Sequence, residues 1–315
     1  MASVDYVFKA VQYGLQTVKL SATVHLPKTT TSVKGIALYF HGGGYIVGSR
    51  AMLPAAHIEV LTEAGFVAVS SDYRLGPTIS VLEGPVGDSI AAYEWAQNEL
   101  PGLLESEHGI RVNGKNIVTL GHSCGGGLAL LMASRPNPPK AILDLFGFKY
   151  LRDPFYHTGS STLPPPGAPA PPPAEFVEQV FNEIPPPTAA PVPFGPNGPD
   201  LSTPRKAYLV TSVRKGTQFD PIIAEDEYDH VDPEKLLKEP GFPPTVFVHG
   251  TADVVVDIKF SQWAHAELQK NGVPAELYVV EGVPHGFDAR LKRDDAAFES
   301  IQKAVDFLAQ HVAGK

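Results

Sequence analysis

Apolar and polar positions change their period several times along the chain. Short runs rich in β-branched and aromatic residues recur at 17–24, 36–40, 66–71, 116–120, 141–146, 245–249 and 276–280, with a weaker one at 6–12. Each has the length and composition of a strand. Stretches with helical spacing of apolar residues fall between the later runs, at 52–64, 85–99, 124–135, 257–271 and 294–312. Pro85 stands where a first helical turn tolerates proline, and Asn271-Gly272 has the form of a helix C-cap. Strands at the front followed by strand-helix alternation predict an α/β architecture: a mostly parallel eight-stranded sheet flanked by helices on both faces. Such sheets bind ligands at the carboxyl ends of their strands.

Residues 150–240 break this rhythm. They hold 19 of the chain's 31 prolines, in runs such as PPPGAPAPPP and IPPPTAAPVPFGP. Proline fixes φ and removes a donor, which favours extended cover over regular structure. Two pieces, AEFVEQVFNE and TPRKAYLVTSVRK, have the composition of short helices. A disordered loop is one reading. An inserted lid is the favoured one, because Phe155, Tyr156, Phe176, Phe181, Phe194 and Tyr208 supply apolar surface that a linker lacks. The expected organisation is a core built from 1–149 and 241–315, interrupted by a proline-rich lid over 150–240.

Composition narrows the partners. With 43% apolar residues among 315, the chain can bury a full core. The 34 acidic and 25 basic residues give a net charge of −9 with no basic stripe, so nucleic acid is not an expected partner. The single cysteine, Cys124, excludes an intramolecular disulfide, and the opening MASVDYVFKA lacks the features of a secretory signal. No apolar run approaches the roughly 20 residues that cross a bilayer, and the final HVAGK carries no lipidation or peroxisomal address. These features predict a soluble, cytoplasmic protein. They leave oligomeric state open, a homodimer included.

Candidate chemistry concentrates where strands end. The run NIVTL leads into Gly121-His122-Ser123-Cys124-Gly125 and then into a helical stretch. A serine in so sharp a strand-to-helix turn is held above the sheet edge, and glycines are needed on either side because side chains there would collide. The run GIALYF leads into His41-Gly42-Gly43-Gly44-Tyr45, where consecutive glycines let backbone N–H groups turn inward toward a developing oxyanion. A serine needs a base, and the base a carboxylate to orient it. His285 follows the strand ELYVV in a loop, whereas His265 and His311 lie in expected helices and His25 and His249 on expected strands. Asp253 follows the strand TVFVHG directly. Its rival, Asp257, stands before a helix, where capping is the ordinary role. Ser123, Asp253 and His285 are thus the expected catalytic residues.

With HGGGY at 41–45, SDYRLGP at 71–77, GHSCGG at 121–126, HGTAD at 249–253 and PHGF at 284–287, the chain resembles the hormone-sensitive-lipase-like branch of the α/β hydrolases. That branch includes microbial carboxylesterases, fungal biosynthetic hydrolases and plant carboxylesterase-like proteins. The resemblance implies the α/β-hydrolase fold, an oxyanion hole formed by Gly43, Gly44 and Cys124, and hydrolysis of a carboxylic ester or lactone of a small to medium hydrophobic metabolite without metal or cofactor. Family members usually read G-D-S-A-G-G, so His122 and Cys124 are departures, though neither removes a backbone donor. Asp72 and Arg74 read as structural ion-pair residues, and His41 as a brace for the glycine loop. Tyr45 and the lid aromatics Phe155, Tyr156, Phe176 and Phe181 are the expected pocket walls. Two other classes stay open: a lyase, dehydratase or cyclase on the same scaffold, and a catalytically inert small-molecule binding protein.

Overall fold

Strands β1 (Ser3–Tyr13) and β2 (Gln16–His25) pair antiparallel at one edge of a sheet. β2 then pairs antiparallel with β4 (Phe66–Ser71), and every other pairing within this sheet is parallel. The remaining strands are β3 (Gly35–Phe40), β5 (Ile117–His122), β6 (Ile142–Leu145), β7 (Thr245–Gly250) and β8 (Ala275–Val280). In this computed structural model, which describes residues 2–27, 33–159, 170, 172–195 and 198–312, the eight strands lie in the order β1-β2-β4-β3-β5-β6-β7-β8. All eight expected strands form, and the sheet is mostly parallel as expected.

Burial explains the pattern of the runs. β3 is apolar at every position because both of its faces are covered: Ile36, Leu38 and Phe40 enter one core, Ala37 and Tyr39 the other. β1 alternates because it is an edge strand with one face to solvent. Helices α1 (Ala55–Glu63) and α7 (Phe298–Val312) pack on one face of the sheet. On the other lie α2 (Gly87–Asn98), α3 (Leu100–His108), α4 (Cys124–Leu131) and α6 (Lys259–Lys270).

Two local readings are corrected. The helix expected to begin at 85 begins at Gly87, after a wide turn in which the Val86 N–H reaches back to Val81 O and so bypasses the proline at 85. Helix α3 was not foreseen. Pro101 occupies its first turn, where the missing N–H costs nothing.

Between β6 and β7 the described residues include helix α5 (Pro204–Lys215), whose Thr203 hydroxyl accepts from the Lys206 N–H, and short turns at Pro154–His157, Ala174–Val177 and Tyr228–Val231. Tyr156, Val180, Tyr208 and Leu209 from this segment enter the same core as α2 and α4. Most of the proline run 164–173 and the side chain of Phe194 lie outside the described residues. Among the described residues, no helix is long and apolar enough to cross a membrane.

Candidate active site

Four loops meet at the carboxyl ends of β3, β5, β7 and β8. At the end of β5 the backbone turns at Ser123, whose φ of 54° and ψ of −125° lie outside the regions ordinary L-residues adopt. The conformation is held from β6, because the Ser123 N–H donates to Leu145 O at 2.9 Å and its carbonyl accepts from the Phe148 N–H at 3.0 Å. The flanking glycines are required: a Cβ on Gly125 would overlap the Phe40 carbonyl, and one on Gly121 would overlap the Gly125 carbonyl. Helix α4 starts at the next residue and directs its positive end toward the serine.

Asp253 follows β7 by three residues. Its Oδ1 accepts the N–H groups of Val255 and Val256, both at 2.9 Å, and its Oδ2 lies 2.7 Å from His285 Nδ1 and 3.2 Å from His249 Nε2. His249 Nε2 also faces the Val256 carbonyl at 2.9 Å, which fixes it as the protonated nitrogen and leaves Nδ1 to accept from the Ser261 hydroxyl. Burial alone would raise the Asp253 pKa. Attraction to His285 and hydrogen bonds from His249, His285 and Val256 outweigh it and hold the carboxyl well below the usual range. Asp257, the rival, instead accepts from the Lys259 N–H at 2.9 Å where α6 begins. The structure therefore joins Asp253 to His285. Among the described residues the Ser123 hydroxyl makes no hydrogen bond, to His285 or otherwise, and catalytic contacts of this kind often close only with substrate present.

The glycine loop after β3 lies directly against the elbow. A Cβ on Gly42 would approach the Ser123 Cβ to 3.2 Å, and one on Gly43, at φ 118°, would overlap the Val47 carbonyl. The N–H groups of Gly43 and Cys124 have no partner among the described residues. His41 Nδ1 faces the Gly42 carbonyl at 2.8 Å, and its ring stacks on Tyr73 at 4.0 Å. Burial pushes the His41 pKa down to about 4. Cys124 sits beneath the loop, with Tyr45 N–H donating to its sulfur at 3.3 Å. Burial pushes this thiol up to about 11, against opposing hydrogen bonds from Tyr73 and the N–H groups of Tyr45, Gly44 and Gly125. Cys124 is therefore a packed thiol rather than a thiolate.

A cavity of about 780 Å³ opens beside Asp253, lined by Phe155, Tyr156, Gln218 and Lys259 among others. The other expected wall residues stand elsewhere. Tyr45, at φ 66°, turns its ring inward against Phe148. Phe181 packs on Tyr208 and is partly exposed, and Phe176 does not border the cavity. Ser123 and His285 are not among the lining residues either, so the cavity flanks the site on the carboxylate side. Asp72 pairs with Arg50, and Arg74 with Asp88 at 2.8 Å, as structural ion pairs.

A second cluster was not foreseen. Asp288 Oδ2 lies 2.5 Å from His122 Nε2 and 3.1 Å from His57 Nε2, and His122 Nδ1 lies 2.8 Å from the Tyr39 hydroxyl. These are also the residues with metal-ligating atoms gathered within 4.8 Å among the described residues. The available signal was the histidine in G-H-S-C-G: an imidazole replacing the family's acid calls for an acid from elsewhere in the chain.

Residues 37–144 match the alpha/beta hydrolase fold family. The architecture, the order of the strands and the serine at the turn after β5 agree with that match. The chain has the α/β-hydrolase fold. This α/β hydrolase is similar, at 22% identity and a TM-score of 0.70, to a Staphylococcus aureus protein of unknown function, over 98% of this chain and 99% of that one. Esterase 2 of Thermogutta terrifontis, solved phosphoramylated by tabun, matches at 21% identity and a TM-score of 0.64, over 99% and 97%. Among curated proteins, the non-reducing polyketide synthase ausA of Penicillium brasilianum is 30% identical over 96% of this chain, and the methylphloroacetophenone synthase of Cladonia uncialis 27% identical over 94%. The α/β hydrolase spans only 14% and 13% of those two proteins' lengths.

Proposed function

We propose that this α/β hydrolase is a serine esterase that cleaves a carboxylic ester or lactone through an acyl-enzyme on Ser123. The observation that carries the reading is the buried Asp253 carboxylate 2.7 Å from His285 Nδ1, at the same sheet edge as a serine in a strained turn. With Asp253 accepting its Nδ1–H, His285 keeps the Nε2 lone pair as the base. It removes the hydroxyl proton as Ser123 Oγ attacks the carbonyl carbon, and Asp253 stabilises the imidazolium that results. The unpartnered N–H groups of Gly43 and Cys124, with Gly44, receive the oxyanion. His285 then protonates the leaving alcohol, and water repeats the sequence to release the acid.

Phe155 and Tyr156 beside Asp253 support a hydrophobic substrate of small to medium size. The polyketide synthase relatives support an acyl group of polyketide origin. In this reading the described residues between β6 and β7 belong to a lid, and α5 is one part of it that reaches the glycine loop. The test is covalent trapping, for which the tabun adduct of the Thermogutta esterase is a precedent. Incubation with a fluorophosphonate should add one phosphonyl group, located on Ser123 by peptide mass. Absence of an adduct on the folded protein would favour a lyase, dehydratase, cyclase or binding protein instead.

A further inference from the structure

The Phe146 ring contacts imidazoles of two separate carboxylate–histidine clusters. Phe146 sits 4.7 Å from the His285 ring and 5.5 Å from the His122 ring. Asp253 with His285 and His249 is the cluster already described. Asp288 with His122 and His57 is used by no step of the mechanism.

We propose that the His122–Asp288 pair is a positioning device that fixes the nucleophile relative to its base; the inference rests on the reading of Ser123 and His285 given above. His122 is the residue before Ser123. Asp288 is the third residue after His285, in the turn Phe287–Arg290. Other bonds hold the His285 loop to the Asp253 loop, as between Ala252 N–H and Val283 O at 3.1 Å and between Gly282 N–H and Thr251 Oγ1 at 2.8 Å. Among the described residues, the His122–Asp288 contact is the hydrogen bond that ties the His285 loop to the elbow.

The protons follow from the partners. The Tyr39 hydroxyl donates to His122 Nδ1 and His122 Nε2–H donates to Asp288 Oδ2, while His57 Nε2 lies 3.1 Å from the same oxygen without hydrogen-bond geometry. Burial would raise the Asp288 pKa, but the His122 N–H and the nearby imidazoles outweigh it and keep the carboxylate an ionised acceptor. A metal ion on the same three residues is disfavoured by spacing. Two ligands of a tetrahedral zinc stand roughly 3.3 Å apart, whereas His122 Nε2 and Asp288 Oδ2 are at the 2.5 Å of a short hydrogen bond.

The test compares His122→Ala, His122→Gln and Asp288→Asn with wild type in kcat and KM on p-nitrophenyl butyrate, with thermal melts and metal analysis of each purified protein. His122→Ala and Asp288→Asn should lower kcat roughly 10²-fold, the scale of an ångström-sized misplacement, with KM unchanged. His122→Gln keeps an N–H within reach of Asp288 and should recover most of the loss. If His122→Ala does not fold, the near-isosteric Asp288→Asn carries the same expectation. Folded variants with wild-type kcat would overturn the proposal, as would a stoichiometric transition metal lost in Asp288→Asn. Activity that survives Ser123→Ala would instead overturn the reading on which it rests.

Discussion

Arg205 Nη1 donates to the carbonyl oxygen of Ile46 at 2.7 Å, which joins helix α5 to the chain just after the glycine loop. The same guanidinium donates to the Gly76 carbonyl and pairs with Glu183 Oε2 at 2.8 Å. One turn further along α5, Leu209 stands where a Cβ on Gly44 would come within 3.0 Å of its Cδ1. The segment after β6 is therefore built into the site at the loop proposed to receive the oxyanion.

Arg205→Met keeps the apolar stem but leaves the Ile46 and Gly76 carbonyls without their donor. It should destabilise the fold by about 1–3 kcal/mol and lower kcat/KM through the loosened loop. Urea melts and steady-state kinetics check this; an unchanged kcat/KM would show that the glycine loop holds its shape without α5.

Asp253→Asn tests the proposed orienting role of this carboxylate. An amide in that place can donate to His285 Nδ1 and so select the wrong tautomer, which in serine triads costs roughly 10⁴-fold in kcat. The fold should persist, since the Val255 and Val256 N–H groups retain an acceptor. A kcat within a few-fold of wild type would remove Asp253 from the mechanism.

Gly43 has a positive φ, and its Cα faces the Val47 carbonyl, so Gly43→Ala must displace the loop. If its N–H serves the oxyanion, kcat should fall roughly 10²- to 10³-fold while KM changes little. A rise in KM with kcat preserved would assign the loop to substrate binding alone.

The buried imidazole of His41 gives stability a pH dependence of known sign. Its pKa is about 4 when folded against 6.5 for a free histidine, so between those values the unfolded chain binds the extra proton. The contribution is complete above pH 6.5 and is lost as pH falls through about 4, an effect of about 3 kcal/mol. Asp232, which burial pushes up to about 6, acts in the opposite sense but is common to both proteins in a comparison. The stability of wild type relative to His41→Asn should therefore decline from pH 7 to pH 4; a flat difference would mean that His41 is already charged in the fold.

The sheet was legible because the strands are short, bounded and buried on one or both faces, so period and composition locate them. The loops bearing Ser123, Asp253 and His285 were legible because chemistry placed just after a parallel strand has one destination, the carboxyl edge. What could not be read was pairing across distance. His122 and Asp288 are separated by 166 residues, and no local pattern links them. His249 was read as an ordinary strand histidine; it is structural, yet it also donates to the Asp253 carboxylate. Tyr45 is an expected pocket wall, yet at a φ of 66° its ring is fully buried in the core, which its place after the glycines does not reveal.

The most direct measurement is turnover of p-nitrophenyl butyrate by wild type and by Ser123→Ala at matched folded concentration. A covalent role for Ser123 predicts that kcat falls roughly 10⁴- to 10⁶-fold with the melting temperature held. Comparable turnover by the two proteins would contradict it.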